Sequence, residues 1–107
     1  MREIKIGAAQ FEHRDGNKAY NLGRIRELTR QAVASGAEFV SFHECAISGY
    51  SFLQGLGRTE LSALAERIPS GSSTAELVSI NEDRAVKQSL DTYVLLYMYV
   101  GRWPSRI

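Results

Sequence analysis

The chain has 107 residues, 44% of them hydrophobic and 23% charged, and a formal net charge of +1. That is the composition of one globular domain, long enough to bury around two-thirds of its unfolded surface in one modest core. The near-zero charge, with 13 basic residues scattered along the chain, excludes an electrostatic case for nucleic acid or an anionic membrane as partner.

The single cysteine, Cys45, can form no internal disulfide. This points to a reducing compartment and sets the expectation of a cytoplasmic protein. Met1 to Lys5 run directly into a strand pattern, without the apolar block of a signal peptide. The longest apolar run, from Tyr93 to Val100, is far short of the ~20 residues that cross a bilayer.

In chain order, Ile4-Lys5-Ile6-Gly7-Ala8-Ala9-Gln10-Phe11 reads as a first strand over about residues 3–11. Ile4, Ile6 and Ala8 share one face, and Gly7 and Ala9 the other, where the small side chains leave room for a close neighbour. Gln10 is a polar strand end or part of a pocket rim. Residues 11–17 form a loop: Asp15-Gly16 is a turn pair, and Asp15 or Asn17 can cap the next helix. His13 lies in this loop, as a surface residue or at a pocket mouth.

A helix is expected over 18–35, its inner face formed by Leu22, Ile25, Leu28, Ala32 and Val33, with Gly36 as the left-handed residue beyond its end. The apolar run Phe39-Val40-Ser41-Phe42 makes a second strand, over 38–44, that stops at His43-Glu44-Cys45 and a Ser48-Gly49 turn. Strand, helix and strand with short links form a βαβ unit, so the two strands should be parallel. Residues 51–58 read as a loop covering part of a site. Thr59 caps a helix at 60–67, and Ser73-Thr74-Ala75-Glu76 forms a capping box that opens a helix at 73–87. After Ile80 the apolar inner face is lost, and 81–107 reads as a divergent tail of the one domain, 1–107. Within it, 92–100 alternates strongly enough for a third strand.

Chemistry in a buried parallel strand collects at its carboxyl end, and Glu44 stands there. The plain alternative is a solvated charge at a strand end. A strand ending in Gln10, a helix, and a strand ending in Glu44 with Gly49-Tyr50 shortly after resembles the amino-terminal part of the nitrilase superfamily, the carbon–nitrogen hydrolases, over residues 3–80. Its amidase and carbamoyl-amine hydrolase branches look closest. The resemblance implies an α/β fold, part of an α-β-β-α sandwich. It also implies a Glu, Lys and Cys triad that hydrolyses an amide, carbamoyl-amine or nitrile. The cysteine attacks carbon, the glutamate takes the thiol proton and then activates water, and the lysine stabilises the charged tetrahedral intermediate.

Of that triad only the base, Glu44, falls on the matching pattern. Lys5, Lys18 and Lys87 stand outside any position that would carry the lysine. Cys45 adjoins Glu44, and neighbours in an extended chain point to opposite faces. His43 shares a side with Cys45, but pairing them needs a bend. Three readings compete: a truncated hydrolase fragment, inactive alone; a non-catalytic binding or assembly module reusing half the fold; and a stand-alone thiol enzyme using Cys45 with His43 or His13. No cofactor is indicated. Two histidines and one cysteine do not make a tetrahedral metal set, and Gly55-Leu56-Gly57 lacks the context of a phosphate loop. Half a sandwich would leave a sheet face and an open edge such as 93–100 bare, so homo-oligomerisation or aggregation is expected.

Overall fold

The computed structural model describes residues 3–83 and the backbone of Tyr93–Leu95. The elements run β1 (Ile6–Ala9), α1 (Lys18–Ala34), β2 (Phe39–Phe42), a 3-10 helix (Ser51–Gly55), α2 (Arg58–Leu64), α3 (Ser72–Glu82) and β3 (Tyr93–Leu95). The three strands form a parallel sheet in the order β1-β2-β3. Ile6 pairs with Phe39, and the register runs without a slip to Ala9 with Phe42. The βαβ unit is thus present, in an α/β arrangement.

The register puts Gly7, Ala9, Val40 and Phe42 on one face, and α1 lies on it. A Cβ built on Gly7 would stand 3.2 Å from the Cβ of Ala32. Only a residue without a side chain lets the helix come this close. Ile25, Ala37, Val40, Phe42, Ala46, Ile47 and Ile80 form the core, flanked by Ala9, Phe11, Leu22, Leu28, Ala32 and Leu77. Since Ile80 and Leu77 belong to α3, both long helices pack on the same side of the sheet. The opposite face is open: Ile4 and Ile6 are 51% and 65% exposed.

The buried stripe of α1 is Asn21, Ile25, Thr29 and Val33. It is narrower and more polar than the five apolar positions suggest. Thr29 is tolerated there because its hydroxyl donates to the carbonyl of Ile25 at 2.7 Å. Asn17 caps the helix, its side chain accepting from the Tyr20 amide at 3.0 Å. At the other end Gly36 takes φ +91°, and Lys5 Nζ donates to the Ser35 carbonyl at 2.5 Å. A cation there satisfies a terminal carbonyl and suits the helix dipole.

Several boundaries differ from the sequence expectation. The strands expected at 3–11 and 38–44 shrink to four paired residues each, with one further backbone bond, from the Glu38 amide to the Lys5 carbonyl at 2.8 Å, just before the register. The helix expected at 60–67 runs from Arg58 to Leu64 and is capped by Gly57, not Thr59; the Gly57 amide donates to Glu60 Oε1 at 3.2 Å. The expected capping box at 73–76 does not form. Gly71 is the cap of α3, and the Ser73 amide and hydroxyl both donate to Glu66, while Glu76 faces Arg26 of α1. The helix expected to reach 87 ends at Glu82. Residues 84–92 and 96–107, which include Lys87 and most of the expected tail, lie outside the described residues.

Candidate active site

The carboxyl ends of β1 and β2 lie side by side, and each runs into a loop. The loop after β1 spans 10–17 and the turn after β2 spans 43–49. Asn21, fully buried on the first turns of α1, bolts them together. Its amide donates to the carbonyls of Arg14 and Ile47, both at 2.8 Å, and its oxygen accepts from the Arg14 amide at 2.8 Å. The Gly16 amide adds a bond to the Ser48 carbonyl at 2.8 Å. Gly49, at φ +88°, closes the turn where a Cβ would stand 2.8 Å from Asp15 Oδ1 and 2.9 Å from the Phe52 ring. Both the backbone conformation and the space demand glycine there. Phe52 belongs to the 3-10 helix, so the segment expected as a covering loop does fold over these turns, with local helical structure.

At the strand ends His13 and His43 stack, their rings 28° apart in plane and their centroids 5.3 Å apart. His13 Nδ1 and His43 Nε2 are 3.1 Å apart. Phe11 meets the edge of His43 at 5.0 Å and of Phe42 at 6.5 Å. Asp15 Oδ1 stands 3.4 Å from His13 Nε2. Burial, and then the charge His13 would carry, hold the His43 pKa below its usual value.

Glu44 follows His43 and is exposed, at the open end of the sheet. Cys45 then takes a left-handed φ of 58°, an uncommon conformation for a residue with a side chain. This turns the chain so that Glu44 faces out while Cys45 is buried at 3% exposure. Burial, and secondarily the Glu44 charge, push the Cys45 thiol pKa up. The thiol therefore stays protonated near neutrality and packs as a small apolar group. The features of a reactive cysteine, an exposed position and a depressed pKa, are absent at Cys45.

The two described lysines are held elsewhere. Lys5 sits at the amino end of β1, on the Ser35 carbonyl. Lys18 Nζ donates to the Leu64 carbonyl and to Glu66 Oε2, the latter at 2.7 Å. Burial alone would raise the Glu66 pKa, but the hydrogen bonds from Lys18 and Ser73 and the Lys18 charge overcome it and bring it down to about 2. Gln10 ends β1 exposed.

Sequence reasoning did not find the His13–His43 pair or the role of Asn21. Asn21 gave a weak signal, a polar residue directly beside the apolar face of the helix. The histidine pair gave none, because 30 residues separate its members.

Among the described residues no helix is long and apolar enough to cross a membrane, and no group of three or more His, Cys, Asp or Glu could hold a metal ion. No curated protein matches the chain. Residues 5–89 match the family described as Carbon-nitrogen hydrolase. The match takes in both strand ends, the turn that carries Glu44, and all of α3. With most of its length matched, the chain belongs to the carbon–nitrogen hydrolase family.

Proposed function

We propose that Glu44 is the general base of a Glu-Lys-Cys hydrolysis of an amide, carbamoyl-amine or nitrile, and that this chain carries the base without its two partners. The observation behind this reading is the position of Glu44. It occupies the carboxyl end of a parallel strand, on a turn fixed by Asn21, Gly16 and Gly49, within the family match. In such a reaction the carboxylate takes the proton of an incoming thiol and later that of the hydrolytic water. Lys5 and Lys18 serve the fold, and Cys45 is buried with a raised pKa. The nucleophile and the oxyanion-stabilising cation would have to come from residues outside those described, and the second sheet of an α-β-β-α sandwich would have to cover the open face.

The 107-residue chain, assayed with amide, carbamoyl-amine and nitrile substrates, should give no turnover above background. Hydrolysis that disappears in Glu44→Gln would show instead that the site is complete within this chain.

One observation favours a second reading, a non-catalytic assembly module. The bare face bearing Ile4 and Ile6 is a ready contact surface. A specific partner retained by Glu44→Ala would support it.

A further inference from the structure

We propose that His13 and His43, ordered by Asp15, form a pH-sensitive latch that holds the loop after β1 onto the end of β2. The latch does not depend on the role assigned to Glu44.

The proton positions follow from the surroundings. His43 Nδ1 is buried and has no hydrogen-bond partner among the described residues. A proton on it would be a buried N–H without an acceptor, which is unfavourable. Neutral His43 therefore carries its proton on Nε2 and donates it to His13 Nδ1 at 3.1 Å. His13 must then carry its own proton on Nε2, the nitrogen that faces Asp15 Oδ1 at 3.4 Å. The order is Asp15, His13, His43, with the His43 N–H directed at His13 Nδ1 and the His13 Nε2–H on the side of the Asp15 carboxylate.

No added proton fits this arrangement. Placed on His43 Nδ1, it is buried without an acceptor. Placed on His13 Nδ1, it sets two N–H groups against each other across 3.1 Å. Acidification therefore breaks the bond between the two loops. The lowered pKa of His43 is the same statement in thermodynamic form. Its sign is that of a group held neutral: stability is full above the unfolded value of about 6.5 and declines as pH falls from there toward the lower folded value.

The surrounding groups leave the pair in control. On the first loop Glu12 and Arg14 are exposed, and the Arg14 guanidinium lies 3.7 Å over the Tyr20 ring. From the second turn come exposed Glu44 and the protonated thiol of Cys45. The 3-10 helix contributes the apolar Phe52, and α1 contributes neutral Asn21, while Lys18 is engaged by Glu66. Asn21 and the Gly16–Ser48 bond are untouched by protonation, so opening is confined to the strand ends beside Glu44.

Histidine ring nitrogen NMR and amide hydrogen exchange on the 107-residue chain test the latch. At about pH 7.5, His43 should show the Nε2–H tautomer and titrate below the ordinary histidine value. Amide protection in residues 11–13, corrected for intrinsic exchange, should fall about tenfold or more between about pH 7.5 and pH 5, while the Arg14 amide, held by Asn21, should keep its protection. His13→Gln leaves an acceptor for His43 that cannot be protonated, and should weaken that pH dependence, leaving only the part that the burial of His43 imposes. A His43 carrying its proton on Nδ1, or loop protection that does not change with pH in the unaltered chain, would overturn the proposal.

Discussion

Asn21 is a polar side chain in a fully buried position of α1, and it is worth more there than a leucine. Its three hydrogen bonds reach both strand-end loops, and each partner is a backbone group that water could not easily serve. Asn21→Leu keeps the branching and the number of heavy atoms and raises the apolar content of the helix face. It should nevertheless lower stability by about 2–4 kcal/mol, since it strands the buried Ile47 carbonyl and the part-buried Arg14 backbone groups. Urea unfolding of the variant checks this. A variant as stable as the original would mean that the loops find other partners. Gly49 makes the companion point from the backbone side: its φ of +88° and its closeness to Asp15 and Phe52 explain why glycine precedes Tyr50.

At the scale of elements, α1, α2 and α3 are tied together through Glu66. It lies between α2 and α3, accepts from Lys18 of α1, and receives the Ser72 hydroxyl and both donors of Ser73 at the start of α3. Its pKa of about 2 lies below the ordinary 4.5. A depressed carboxylate stabilises the fold fully above the unfolded value and loses that contribution as pH falls through the folded one. The contribution is on the order of 3 kcal/mol. Glu66→Gln should thus lower stability at neutral pH and differ little from the parent near pH 2, as read by denaturant unfolding at both pH values. Equal penalties at both would contradict it.

The same element scale shows what could be read ahead of the structure. Strand, helix, strand and the Asn17 and Gly36 ends of α1 were legible, because a period or a cap is written in adjacent residues. The capping box at 73–76 misled, because Glu66, seven residues upstream, takes the Ser73 donors while Glu76 faces Arg26 of α1. Lys18 with Glu66 and His13 with His43 are 48 and 30 residues apart, and nothing local in either member announces the other. Glu44 was legible as a strand end. The left-handed turn at Cys45 that faces it outward was not.

For the molecule as a whole, the described layers are one sheet and the helices on one side of it. The other side shows Ile4 and Ile6 to solvent, and among the described residues β1 is an edge strand. Apolar surface beside an unpaired edge favours association. The chain should therefore self-associate in concentration-dependent light scattering, and Ile6→Lys, which puts a charge on that face, should shift it toward monomer. A monodisperse monomer at high concentration would count against an exposed sandwich face.

The kinship with carbon–nitrogen hydrolases bears most directly on one side chain. Joining residues 1–83 to the remainder of a family domain that supplies the lysine and the cysteine, and measuring hydrolysis with and without Glu44→Gln, isolates it. The account predicts an active fusion whose rate falls about 10²–10⁴-fold in the variant, as loss of a general base requires. An active fusion that keeps its rate when Glu44 becomes Gln would contradict it.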